Sequence, residues 1–143
     1  MKTYFRKGDV ILMEKVLYEF DKCIIDEGNN KIKCWIVEKE SGSLKLFDLN
    51  QLSERAELYK MPNSDFVLNQ KVWVPKYTNF GIIKQVCFQD FFKVELEIKK
   101  TLFSLKKRKI VFLQDRELRP IKTGTWYPVF LLIFILKLVI LLV

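Results

Sequence analysis

Lys99, Lys100, Lys106, Lys107, Arg108 and Lys109 bracket residues 101–105, with Phe103 near the middle of the bracket. Cations at this spacing can lie along a phosphate backbone and displace its counterions, while an aromatic between them stacks on a base. The competing reading is a solvated loop whose charges only oppose aggregation. A second group is aromatic: Trp73, Tyr77, Phe80, Phe88, Phe91 and Phe92 crowd one short stretch. Rings so placed among apolar neighbours also serve as core.

Other chemistry has little to build on. The chain contains no histidine, so the commonest general base and metal ligand is missing. Glu95 and Glu97 share the outward face of one strand and do not converge on a cleft. Cys23, Cys34 and Cys87 are widely spaced, without the paired spacing of a zinc site, and read as reduced, buried thiols. No glycine-rich phosphate loop followed by Lys and Ser or Thr is present, and no serine stands in a nucleophile elbow. The expectation is a binding protein, not an enzyme, with no cofactor and no metal.

The charge is unevenly distributed. Residues 61–125 hold 13 Lys or Arg against 6 Asp or Glu, whereas residues 1–60 hold 11 of each. Such a partition marks a surface with a partner, carried by one module. Lys71, Lys76, Lys84, Lys93, Arg116 and Arg119 belong to the same module.

The elements that must position these residues are short strands. Residues 93–98 (KVELEI) alternate with Val94, Leu96 and Ile98 inward. Residues 31–38 place Ile32, Cys34 and Ile36 on one face, after a turn at Gly28, Asn29 and Asn30. Further strands are expected at 10–13, 22–26, 44–47, 70–74, 82–88 and 109–113, with a last short one near 119–121. One helical turn is expected at 48–52. Pro75 ends its strand, and residues 77–81 form a loop with Gly81 as its permissive position. The order of 10–47 returns in 72–112, each ending in a phenylalanine followed by a polar turn and a leucine, Leu52 or Leu118. The expected fold is mainly β: two tandem SH3-like five-stranded barrels over 1–62 and 63–123, followed by an apolar C-terminal helix over 126–143.

Residues 66–121 resemble a tudor-type barrel through the opening Val72, Trp73 and Val74, the loop Asn79, Phe80 and Gly81, and the close at 117–121 (ELRPI). In that family aromatics from these loops form a cage for a methylated lysine or arginine, which implies Trp73, Tyr77, Phe80 and Asp90 as cage residues. A surface of this positive charge repels cationic tails, which ranks the reading of a methylated-peptide reader below nucleic acid. The tandem layout is also similar to the paired tudor-like barrels at the N-terminus of bacterial RNA-polymerase-associated Swi2/Snf2 ATPases. That resemblance implies an accessory or truncated part of a nucleic-acid remodelling system, without its motor.

In residues 126–143, 14 of 18 are Val, Ile, Leu or Phe, and only Lys137 is charged. As one helix they would extend about 27 Å, the short edge for a bilayer span. Apolar insertion of roughly −4 to −8 kcal/mol outweighs about +2.5 to +3.5 for a central lysine. Trp126 and Tyr127 suit an interface, and the basic residues upstream place the barrels on the cytoplasmic side. A packing helix and an altered terminus are the alternatives to this membrane anchor.

Two function classes result. The first is non-catalytic binding of DNA or RNA, with weak sequence preference, through Lys99, Lys100, Phe103, Lys106, Lys107, Arg108 and Lys109. The second is a cytoplasmic-side, tail-anchored membrane adaptor or scaffold for a protein partner.

Overall fold

Alternating β-branched and aromatic residues fold the chain into strands of two to eleven residues, seen in a computed structural model that describes residues 5–88, 90–97, 109–121 and 135–140. Strands β1 (Val10–Met13), β2 (Val16–Asp26), β3 (Lys31–Glu38), β4 (Leu44–Asp48) and β5 (Glu57–Lys60) form one antiparallel sheet in the order β4-β3-β2-β1-β5. Strands β6 (Lys71–Val74), β7 (Asn79–Cys87), β8 (Phe91–Leu96), β9 (Lys109–Gln114) and β10 (Arg119–Pro120) form a second, in the order β10-β6-β7-β8-β9. Each sheet thus pairs its fifth strand with its first and runs the others in chain order. Each carries a register shift between its second and third strands, at Phe20/Lys22 and at Ile83/Gln85. Each also places a helical turn before its fifth strand, α1 (Leu49–Arg55) in one and the 3-10 turn Asp115–Glu117 in the other. The repeat read from the sequence is therefore a repeat of topology.

The strand expected at 93–98 is Phe91–Leu96: Val94 and Leu96 point into the core as expected, joined by Phe92, with Val72, Val74 and Ile83 also in the core, while Ile98 lies outside the described residues. Ile11, Met13, Cys34 and Ile36 line the inner face of the first sheet, and one continuous apolar cluster joins both. A fully buried Phe or Ile in such a cluster contributes about 1.5–3 kcal/mol. The link between the sheets, residues 61–70, is itself core: Met61, Phe66 and Leu68 are buried. Its backbone bonds to both sheets, Leu68 N–H to the Tyr59 carbonyl at 2.9 Å and Asn69 N–H to the Ile83 carbonyl at 2.8 Å. The Ser64 hydroxyl donates to the Asp115 carboxylate, tying the link to the last turn of the second sheet. Phe5 bridges the sheets on another side, 5.7 Å from Phe20 and 6.1 Å from Phe88 between ring centroids.

Several boundaries differ from expectation. β2 starts at Val16, six residues before the expected Lys22, because Glu14 and Lys15 adopt positive φ (50° and 66°) and turn the chain back on β1. β5 was not expected. Gly81 lies inside β7, not in a loop: a Cβ there would meet Val94 Cγ1 at 2.5 Å, so glycine permits close strand approach. The left-handed residue of that hairpin is Thr78, at φ 47°. Of the three thiols expected to be buried, only Cys34 is; Cys23, opposite it on β2, is exposed, and Cys87 is half-buried.

Of the tail expected as one helix over 126–143, residues 135–140 are described; they are helical, and the remainder lies outside the described residues. Among the described residues no helix is long and apolar enough to cross a membrane. Within the described segment Ile135, Leu136, Leu138, Val139 and Ile140 are exposed.

Candidate nucleic-acid interface

Pro75 cannot extend the β6 ladder and begins the 3-10 turn Pro75–Tyr77, closed by Thr78 in the left-handed region. The turn sets Tyr77 at one end of the second sheet. Trp73 and Phe80 are direct partners across β6 and β7 on the outward face, with ring centroids 4.8 Å apart and planes at 66°, an edge contact. The Asn79 side chain fixes the same corner: its oxygen accepts the Phe80 N–H at 2.8 Å and its nitrogen donates to the Glu97 carbonyl.

Cations lie against these rings. Lys71 Nζ stands 5.1 Å from the Phe80 centroid and 2.9 Å from the Glu97 carboxylate. Lys109 Nζ stands 4.6 Å from the Tyr77 centroid, and Lys76 Nζ 5.9 Å from it. Two members of the aromatic set and the last member of the basic set therefore share one end of the sheet. Glu97, just beyond β8, and Lys109, which opens β9, bound the basic segment at this end. Lys99, Lys100, Phe103, Lys106, Lys107 and Arg108 lie outside the described residues.

Asp90 is placed elsewhere. It occupies the β7–β8 turn at φ 63°, the far end of the hairpin from Phe80, and pairs with Arg6 at 3.5 Å. The cage set of Trp73, Tyr77, Phe80 and Asp90 is thus divided between the two ends of β7. Phe92 is fully buried, and Phe88 and Phe91 are half-buried.

Sequence reasoning passed over Ile110 and Phe112, which are 48% and 64% exposed on the outer face of β9. The alternation in Lys109–Gln114 carried the signal: Val111 and Leu113 turn inward, so Ile110 and Phe112 turn outward. Phe112 sits directly opposite Lys93 on β8, which places an open ring beside a further cation.

Outside the 99–109 run, residues 61–125 hold seven Lys or Arg against six Asp or Glu. Several of these seven already have acidic neighbours, Lys71 with Glu97, Lys76 with Glu117 at 4.0 Å and Lys84 with Glu95 at 3.9 Å. The Arg119 guanidinium donates to the Arg116 and Leu118 carbonyls at 2.7 and 2.9 Å. The excess positive charge therefore concentrates in 99–109.

Two other features lie away from this end. A cleft of about 350 Å³ opens between the sheets, lined by Leu58, Leu68, Val86 and Phe88 with Lys84 and Lys93 at its mouth. Asp9 is fully buried; its Oδ2 accepts the Arg6 N–H at 2.7 Å, and its Oδ1 meets no hydrogen-bond partner among the described residues. Burial pushes the Asp9 carboxyl above the usual carboxylate range, against the lowering effect of the Arg6 N–H. Comparison with protein-family models, curated proteins and solved structures finds no match to this chain.

Proposed function

We propose that the chain is a non-catalytic module that binds DNA or RNA, with weak sequence preference, at the basic end of its second unit. In this reading each sheet curls into an SH3-like, tudor-like barrel, in keeping with a strand order that sets the fifth strand beside the first. Lys99, Lys100, Lys106, Lys107, Arg108 and Lys109 contact phosphates, and Phe103 or the Trp73 corner stacks on bases.

The observation that carries the reading is the placement of Lys109, the end of the basic run, over the face of Tyr77 at 4.6 Å. A ring already faced by one of the chain's own cations suits a polyanion and disfavours a methylated lysine in the same place. As an accessory to a remodelling ATPase, the module supplies affinity for nucleic acid and leaves ATP hydrolysis to another chain.

The test is fluorescence anisotropy of a labelled single-stranded oligonucleotide titrated with the full chain at low salt. Saturable binding is expected, with Trp73→Ala weakening it by about 1–3 kcal/mol where the ring stacks on a base. No binding at low salt rejects the proposal. Binding of a trimethyl-lysine peptide without oligonucleotide binding transfers the site to the cage reading.

A second reading, an adaptor held at a membrane with the β units on the cytoplasmic side, draws on the exposed apolar face of residues 135–140. Co-sedimentation of the full chain with anionic vesicles that persists at high salt supports it. Release at high salt leaves only a charge attraction and sinks the anchor.

A further inference from the structure

Cys23 and Cys34 are directly opposed across β2 and β3, and their sulfurs stand 2.8 Å apart. The register shift between Phe20 and Lys22 creates this pair. Phe20 opposes Ile36, and an unbroken ladder would set Lys22 against Cys34; the extra residue advances β2 by one, so Cys23 takes that place. Opposed residues of an antiparallel pair have Cα atoms about 4.5–5.5 Å apart. That lies within the roughly 4.4–6.8 Å range of disulfides. Bond formation needs the sulfurs to approach by about 0.8 Å more, a side-chain adjustment that leaves the strands in place.

The two thiols differ in access. Cys23 is exposed and Cys34 is fully buried beneath it. Cys87, on β7 in the other sheet, has the Gln85 carbonyl at 4.0 Å as its sulfur's neighbour.

We propose that Cys23 and Cys34 form a thiol–disulfide exchange site that reacts with low-molecular-weight disulfides and closes to a cross-strand disulfide. The Cys23 thiolate, having released its proton to water, attacks one sulfur of the small disulfide and expels one small thiolate. The Cys34 thiolate then attacks the Cys23 sulfur of the mixed disulfide and expels the second. The protein dithiol is oxidised by two electrons, the small disulfide is reduced to two thiols, and the two protons lost by the cysteines balance those thiols. Burial, with the neighbouring Cys23 sulfur, pushes the Cys34 thiol up to about 12. Its thiolate is scarce at neutral pH, so the second step quickens as pH rises.

The experiment exposes the full reduced chain to glutathione disulfide at mildly alkaline pH, followed by intact mass measurement and non-reducing tryptic mapping. Cleavage after Lys22, Lys31, Lys33 and Lys39 puts Cys23 and Cys34 on separate peptides, 23–31 and 34–39, unless a bond joins them. The expected product has lost the mass of two hydrogens, keeps no glutathione at Cys23 and yields the joined peptides. Cys34→Ser is expected to retain one glutathione on Cys23. Should that variant fail to fold, Cys23→Ser at the exposed position serves instead, and is expected to leave Cys34 unmodified. A wild-type chain that keeps its glutathione on Cys23, joins peptide 23–31 to a second copy, or takes glutathione at Cys34 in Cys23→Ser overturns the proposal.

Discussion

In the first sheet a two-residue turn, Glu14 and Lys15, joins the first strand to the second, and residues 39–43 join the third to the fourth. In the second sheet the same joints are the 3-10 turn Pro75–Tyr77 with Thr78, and residues 97–108. Strand order, the register shift before the third strand and the helical turn before the fifth are common to both. The inward alternation sets the strands, and it leaves the joints free to differ. The second unit uses that freedom to bring Tyr77, Phe80 and the two ends of a basic segment together, while the first unit stays charge-balanced.

The largest expected effect breaks the comparison through charge. Replacing Lys99, Lys100, Lys106, Lys107, Arg108 and Lys109 by Gln is expected to lower oligonucleotide affinity by about a thousandfold near physiological salt. Replacing Lys31, Lys33, Lys39 and Lys45 of the first unit is expected to change it by less than about threefold. Comparable losses for the two sets, read by anisotropy, erase the assignment to one unit.

The second prediction concerns the shared core. Phe92→Ala is expected to cost about 3–5 kcal/mol, and to shift the unfolding of both units together because their apolar clusters are continuous. Trp35 reports on the first sheet and Trp73 on the second, once Trp126 is replaced by Phe. A shift at Trp73 alone, in urea, shows that the units unfold separately.

Two smaller effects sharpen the local account. Gly81→Ala presses a Cβ against Val94 Cγ1 and the Glu95 carbonyl, and is expected to destabilise by about 1–3 kcal/mol. Gly42→Ala has open space but a φ of 68°, so its cost is conformational, about 1 kcal/mol. Equal losses in the two variants contradict the packing argument. Asp9→Asn addresses pH. Because burial raises the folded-state pKa of Asp9 above its ordinary 3.8, its contribution is full below that value and is lost as pH rises through the folded pKa. The stability of the wild type relative to Asp9→Asn is therefore expected to decline on raising the pH above about 4 in urea melts. A gap that is flat with pH contradicts a raised carboxyl.

Much of the strand pattern was legible because it is local. Val94 and Leu96, and Cys34 and Ile36, announce their inner faces by alternation, though Ile32, read on the same face, is 43% exposed. The helix read at 48–52 with Ser53 as a possible cap begins instead after Asp48, whose carboxylate caps it by accepting the Asn50 N–H at 3.0 Å, and Ser53 lies inside it. The departures arise where distant parts of the chain decide. Glu14 and Lys15 turn without Gly or Asn because β1 and β2 hold them there, which hid the first half of β2. Gly81 looked like a turn residue, yet the demand on it comes from Val94 on the next strand. The opposition of Cys23 and Cys34 depends on a register shift that no alternation announces. At the candidate interface, Lys109 and Tyr77 lie 32 positions apart in sequence and meet only through the sheet.

The most direct test of the account is the slope of log affinity against log salt for the full chain on a single-stranded oligonucleotide. With six phosphate contacts a slope of about −4 is predicted, falling toward zero when the six cations of 99–109 are replaced by Gln. A slope that is unchanged by those replacements, or a wild-type chain that does not bind at low salt, contradicts the claim that this basic end holds nucleic acid.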